Sequence, residues 1–367
     1  MHVFLLIFLC AGLQGEEWQS AALTSYENGL RWLVDNQNED GSWGGSQWTG
    51  GVDQDPAPGA FQSFDVAVTA MCLEALFPWR DEEAYLDSTT KARSFLEREF
   101  PQLRRPHPHH LPNIWAYCYG IQVLARYLER GSEAEKQWAA AEIRNLMAGL
   151  QRFEIPGGGW FYYAGSSTRK PDAPSASFVN AAVLTALRRA QEQGVEVDRE
   201  LVQRALRATR LQRKPDSTFL YSARTPLDRQ GAMSPINRLA GSLGRSQAGN
   251  YALRVWGDPA VTHEVIDHWL NRLTDRQGWL DMGRKRPIPH ESHAGVAGYF
   301  YYFGHYYASL CIEEASPGKQ ADYREALAAI LLARQEKDGS WFDYPLYRYH
   351  KPYGTAFAVL SLHECLH

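Results

Sequence analysis

Cysteine is scarce in this 367-residue chain: five residues, none in a CxxC pair, which excludes a disulfide framework and a structural zinc site as what holds it together. An apolar run long enough for a mature transmembrane helix is missing as well. Charge of one sign is also missing. With 38 Lys and Arg against 42 Asp and Glu, the net charge of −4 gives no cationic field, and a nucleic-acid partner is excluded with it. Disorder of the whole chain does not fit 44% apolar content. A chain of this size buries about three quarters of its unfolded surface. What is abundant is aromatic, with 12 Trp and 19 Tyr.

Residues 1–15 read as a secretory signal peptide, with an apolar stretch over 3–13 and small or polar residues before Glu16 and Glu17. The segment before the apolar stretch holds only His2, and Leu13 is bulky for its place before a cut after Gly15. The expectation is export to the periplasm or the exterior, with one domain over 16–367. Cys72, Cys118, Cys311 and Cys365 lie in apolar helical segments and read as buried thiols.

A repeat organises that domain. Turn clusters ending in an aromatic recur as Asp40-Gly41-Ser42-Trp43, Gly157-Gly158-Gly159-Trp160, Asp216-Ser217-Thr218-Phe219, Arg276-Gln277-Gly278-Trp279 and Asp338-Gly339-Ser340-Trp341. Their spacing is about 60 residues, with one diverged turn near residue 100, so six units fill the chain. Before each turn lies a polar-faced amphipathic segment: 26–37, 88–100, 135–152, 199–213, 262–274 and 322–335. After it lies a segment with few charges, at 65–77, 113–128, 177–190, 243–256, 294–312 and 353–366. A helix apolar all round is buried, so outer and inner helices alternate. The pattern predicts an all-α fold, an (α/α)6 toroid or barrel of six helical hairpins. A solenoid is the alternative, but no distinct polar cap marks either end.

The pieces Gln37-Asn38-Glu39-Asp40-Gly41-Ser42-Trp43 and Gln335-Glu336-Lys337-Asp338-Gly339-Ser340-Trp341 resemble the QW motif of squalene and oxidosqualene cyclases. The helix start Tyr353-Gly354-Thr355-Ala356-Phe357 resembles the matching helices of that superfamily, to which the protein prenyltransferase β subunits belong. The resemblance implies the toroid, and an isoprenoid or lipid-linked substrate in its central cavity. Two departures bear on chemistry. Val52-Asp53-Gln54-Asp55-Pro56 is similar to the D-x-D-D acid motif of class II terpene cyclases but carries Pro56 in place of the last Asp, and the Asp-x-Cys zinc pattern of the prenyltransferases is absent. The repeated Gln and Trp read as structural, with Gly permitting the turn and Trp packing between hairpins.

Long connections run from outer to inner helices, so the site is expected where the inner helices begin. Six helix N-termini and mostly basic loops there favour an anionic or polarised substrate. The stretch Pro287-Ile288-Pro289-His290-Glu291-Ser292-His293 and the aromatic helix after it are the most unusual in the chain. If one helix spans 294–312, His293 and His305 stand roughly 120° apart around its axis. The catalytic candidates are therefore His293, His305, Tyr301 and Asp65, and the substrate-binding candidates Asn180, Arg245, Tyr302, Tyr353 and Trp115. No metal or cofactor is called for, and His107, His109 and His110 read as an exposed Pro-rich loop. Two further readings stay open. One is an (α/α)-barrel polysaccharide lyase or hydrolase, with a His or Tyr base and an Arg against the carboxylate of an acidic oligosaccharide. The other is a non-catalytic ligand-binding toroid. The expected partner is a small molecule, bound by a monomer or homodimer.

Overall fold

The computed structural model describes residues 3–51, 61–103, 114–161, 174–223, 234–290 and 293–367, with side chains from residue 17 onward. Asp53, Asp55, His107, His109 and His110 lie outside the described residues. Twelve α-helices follow in chain order. They are α1 (Val3–Asp35), α2 (Gln62–Leu76), α3 (Glu83–Glu99), α4 (Ile114–Arg130), α5 (Glu133–Phe153), α6 (Ser177–Glu192), α7 (Arg199–Gln212), α8 (Leu239–Val255), α9 (His263–Asp281), α10 (Phe300–Ile312), α11 (Gln320–Leu332) and α12 (His350–Leu366). Strand pairing among the described residues is limited to a two-residue antiparallel ladder, Ser175–Ala176 with Ser222–Ala223, and a single bridge between Arg213 and Phe219.

Sequence dictates the two helix types. Outer α7 starts where Asp198 accepts the backbone N–H groups of Glu200 and Leu201, and it buries Leu201, Val202, Ala205, Leu206 and Thr209 on one stripe. Outer α5 starts at a capping box between Ser132 and Glu135. Inner α10 buries every one of its residues. The inner helices pack in the cyclic order α2, α4, α6, α8, α10, α12, and α12 returns to α2. The ring is closed, and the sulfhydryl of Cys72 in α2 reaches the Pro352 carbonyl of α12 across the seam. At α8 and α10 the backbones touch, since a Cβ on Gly304 would sit 2.6 Å from the Cα of Gly244. The outer helices α3, α5, α7 and α9 each pack chiefly on the inner helix that precedes them, so the tightest hairpins are those joined by the short connections.

The aromatic turns are built alike. The indole N–H of Trp43, Trp160 and Trp341 donates to the carbonyl of Leu33, Leu150 and Leu331, at 2.7, 2.8 and 2.9 Å. Each turn aromatic offers its backbone N–H to an inner-helix side chain: Trp43 to Thr69, Trp160 to Asn180, Phe219 to Ser246, Trp341 to Thr355. Asp40, Asp216 and Asp338 accept both the N–H and the hydroxyl of the residue two further on. Gln37 and Gln335 bind the next outer helix through the carbonyls of Ser88 and Ser25.

Two local expectations need correction. Trp279 is not at an equivalent turn. It lies half-buried inside α9, which continues past a break at Arg276. The position three before this aromatic is Arg276, at φ −126°, where three other units have Asp and one has Gly157 at φ 99°, so neither a carboxylate nor a left-handed glycine turns the chain out of the helix. The fifth inner helix begins at Phe300 rather than Ala294, because Gly295 takes φ 63° and ends any helical path through 293–299. His293 and His305 therefore do not share a helix.

Candidate functional site

Aromatic rings fill the middle of the lumen. Phe303 of α10 lies 6.3 Å from Phe178 of α6 and 6.2 Å from Phe357 of α12, ring centre to ring centre. Tyr119 of α4 lies 5.8 Å from Phe357, and the Tyr306 hydroxyl donates across the ring to Oε1 of Gln122. These contacts make a floor. Toward the ends where the inner helices begin, Trp115, Tyr221 and Phe300 pack around Phe178 and Tyr353 packs on Phe357, forming an aromatic cluster, the cup.

One edge of the cup carries a chain of polar groups. The Nδ1–H of His290 must donate to the Gly295 carbonyl, 2.8 Å away, since a carbonyl only accepts. Nε2 is thereby left with its lone pair, and it accepts the Tyr299 hydroxyl at 2.8 Å. The Tyr299 oxygen is in turn 3.2 Å from the Tyr221 hydroxyl. Burial lowers the His290 pKa and the nearby Arg245 adds to the effect, so the ring is neutral at neutral pH. The backbone of His290 is held at φ 61°, a conformation that costs energy for a residue with a Cβ.

Acids stand beside this chain. Asp343 is fully buried, accepts the Tyr353 hydroxyl at 2.5 Å and the Tyr302 N–H at 3.0 Å, and is pushed up to about 7 by burial. Tyr344 connects it to the base, with its ring 5.6 Å from Tyr299 and its carbonyl 3.4 Å from the Tyr353 hydroxyl. Asp65 accepts the Tyr349 hydroxyl at 2.6 Å, and burial raises it to about 6. A carboxyl poised near 7 and a neutral imidazole on the same aromatic cluster are suited to taking a proton from one atom and giving it to another.

The structure distributes the sequence candidates unevenly. Trp115 stacks on Phe178, Tyr353 bonds Asp343, and Asp65 bonds Tyr349. His293 is exposed on the surface. Tyr301 and His305 lie on the outward face of α10 beside Asp281 and Arg334, and burial lowers His305 to about 4 while its Nδ1–H bonds the Tyr301 carbonyl. Tyr302 packs on Tyr301. Asn180 caps the Trp160 turn and donates to Gln212. Arg245 spends its donors on the carbonyls of Phe219, Gly241 and Ile236 and on Asn237, and burial pushes its pKa down to about 9. Its guanidinium carbon still lies 5.7 Å from the Tyr221 ring centre. Tyr221, Tyr299, Asp343 and Tyr349 were not singled out by sequence. His290 stood in the unusual Pro287 to His293 stretch, but nothing there separates it from His293. Among the described residues no group of three His, Cys, Asp or Glu side chains could hold a metal ion, and no helix is long and apolar enough to cross a membrane.

No family model and no curated protein matches this sequence. Solved structures do. The type II terpene cyclase MstE from Scytonema, in complex with geranylgeranyl dihydroxybenzoate, superposes with a TM-score of 0.56 at 14% identity, covering 96% of this chain and 99% of that one. The cellobiose 2-epimerase from Spirochaeta thermophila superposes with a TM-score of 0.61 at 16% identity, covering 96% of each chain. The fold is the α/α toroid of terpene cyclases and sugar epimerases. A second cellobiose 2-epimerase, from Bacillus thermoamylovorans, gives a TM-score of 0.59 at 13% identity over 93% of this chain and 98% of that one. The toroid is thus common ground between isoprenoid and sugar chemistry, and function has to be argued from the cup.

Proposed function

We propose that this toroid is an enzyme that moves a carbon-bound proton on a small polar substrate of sugar size. Tyr299 is the base, His290 takes the Tyr299 proton on Nε2, and Asp343 is the acid. The observation that carries the reading is the fixed His290 tautomer, which aims a lone pair at the Tyr299 hydroxyl. Aromatic walls suit the faces of a pyranose ring. Export through residues 1–15 belongs to the same reading, and the N-terminal sequence of protein recovered from the native host would start near Glu16.

The test is deuterium uptake from D2O into a panel of aldoses, β-linked disaccharides and uronate oligosaccharides. One class should exchange, and Tyr299→Phe and His290→Ala should each slow exchange by about 10²- to 10⁴-fold. Exchange untouched by Tyr299→Phe would sink the assignment. A second reading, isoprenoid cyclisation, is favoured by one observation: Asp343 keeps a proton near neutral pH among rings whose π faces stabilise cations. Geranylgeranyl-bearing aromatic acids added to the panel separate the two, because cyclisation would depend on Asp343 and survive Tyr299→Phe.

A further inference from the structure

The far end of the lumen, where the inner helices finish, has its own cavity of about 230 Å3. It shares no residue with the cup. Gln122 forms part of its wall, fully buried; its Oε1 is taken by the Tyr306 hydroxyl, and its amide nitrogen has no partner. One turn along α4 stands Arg126, 3.6 Å from the buried Glu74 and 3.5 Å from Glu129, and beside it on α6 Arg189, which holds Glu74 at 2.5 Å. Each guanidinium has five N–H groups, more than these pairs use, on a wall that also carries Glu192. At the end of α12, the Glu364 carboxylate has no ion pair within 4.0 Å among the described residues; burial raises its pKa, against the pull of Arg189 and Arg126. The neighbouring Glu313 and Glu314 are already paired with Arg324 and Arg254. The carbonyl ends of the inner helices add negative potential here, which favours a cation near Glu364.

We infer that this cavity binds a small zwitterion, a free α-amino acid in its chemistry. Its carboxylate meets the Gln122 amide and the guanidinium groups of Arg126 and Arg189, and its ammonium meets Glu364. A buried N–H without an acceptor costs free energy, and a carboxylate oxygen supplies that acceptor. Guanidinium forks match a carboxylate, and an unpaired carboxylate matches an ammonium. Tyr251 closes one side.

The experiment is calorimetric titration of the full chain with the twenty free L-amino acids, run beside the N-acetyl and carboxamide derivatives of any that binds. At least one amino acid should bind, and blocking either its ammonium or its carboxylate should weaken binding by about tenfold or more. Glu364→Gln should weaken the parent amino acid to a similar extent while leaving the carboxamide-to-acid ratio unchanged. Absence of binding by all twenty at millimolar concentration overturns the inference. So does an N-acetyl derivative that binds as well as its parent. The derivative series needs only the natural chain, so the test stands even if a variant fails to fold.

Discussion

Asp343 and the buried histidines pull stability in opposite directions as pH changes. Asp343 has its pKa raised from 3.8 to about 7, so the folded state holds a proton that the unfolded state has released between those values. Its contribution is greatest below the unfolded pKa and is lost as pH rises through 7, a swing of roughly 4 kcal/mol. His305 and His363 are lowered from 6.5 to about 4 by burial. They are neutral when folded and charge on unfolding, so their contribution is lost as pH falls from 6.5 towards 4. Asp343→Asn removes one side of this opposition. Urea unfolding at pH 8, 6 and 4.5 should show the variant losing stability on acidification more steeply than the parent. A parallel pair of curves refutes the buried acid. His290 gives a second prediction at this scale. Because its pKa lies below 6.5, the acidic limb of kcat/KM should fall below that pH, and Tyr299→Phe should abolish the turnover rather than move the limb.

The helices were legible because each carries its own signal. Inner helices are apolar all round, outer ones have a stripe, and the turn between them repeats Asp, Gly and an aromatic. Trp279 shows where that reading stops: an aromatic after Gly looked like the motif, but Arg276 has neither the carboxylate of Asp40, Asp216 and Asp338 nor the positive φ of Gly157. The cup was less legible for a different reason. His290 acquires its role from a positive φ and from a carbonyl five residues on, and Tyr221 and Asp343 reach the cup from loops far apart in sequence. The turn itself can be tested. Trp341→Phe leaves the Leu331 carbonyl without its buried donor and opens a void, so it should cost about 2–4 kcal/mol in urea unfolding. Trp279→Phe, half-buried within α9, should cost under about 1 kcal/mol. Equal costs would contradict the distinction.

Ring closure sets the behaviour of the molecule as a whole. Because α12 packs on α2, α10, α1 and α11, its loss would open the ring and expose the inner faces of α2 and α10 together. A chain ending at Tyr349 should therefore show no cooperative urea transition by circular dichroism. A stable remainder of five units would mean that the units behave as a linear stack.

The turns described above also bear on inheritance. Trp43, Trp160 and Trp341 each fasten to a main-chain oxygen, an acceptor that every amino acid at those positions supplies, so no substitution there can delete it. The fastenings lie between the outer and inner helix layers. Mutations can then accumulate in the lumen without loosening what shapes it, and a lineage can change its chemistry while keeping its skeleton.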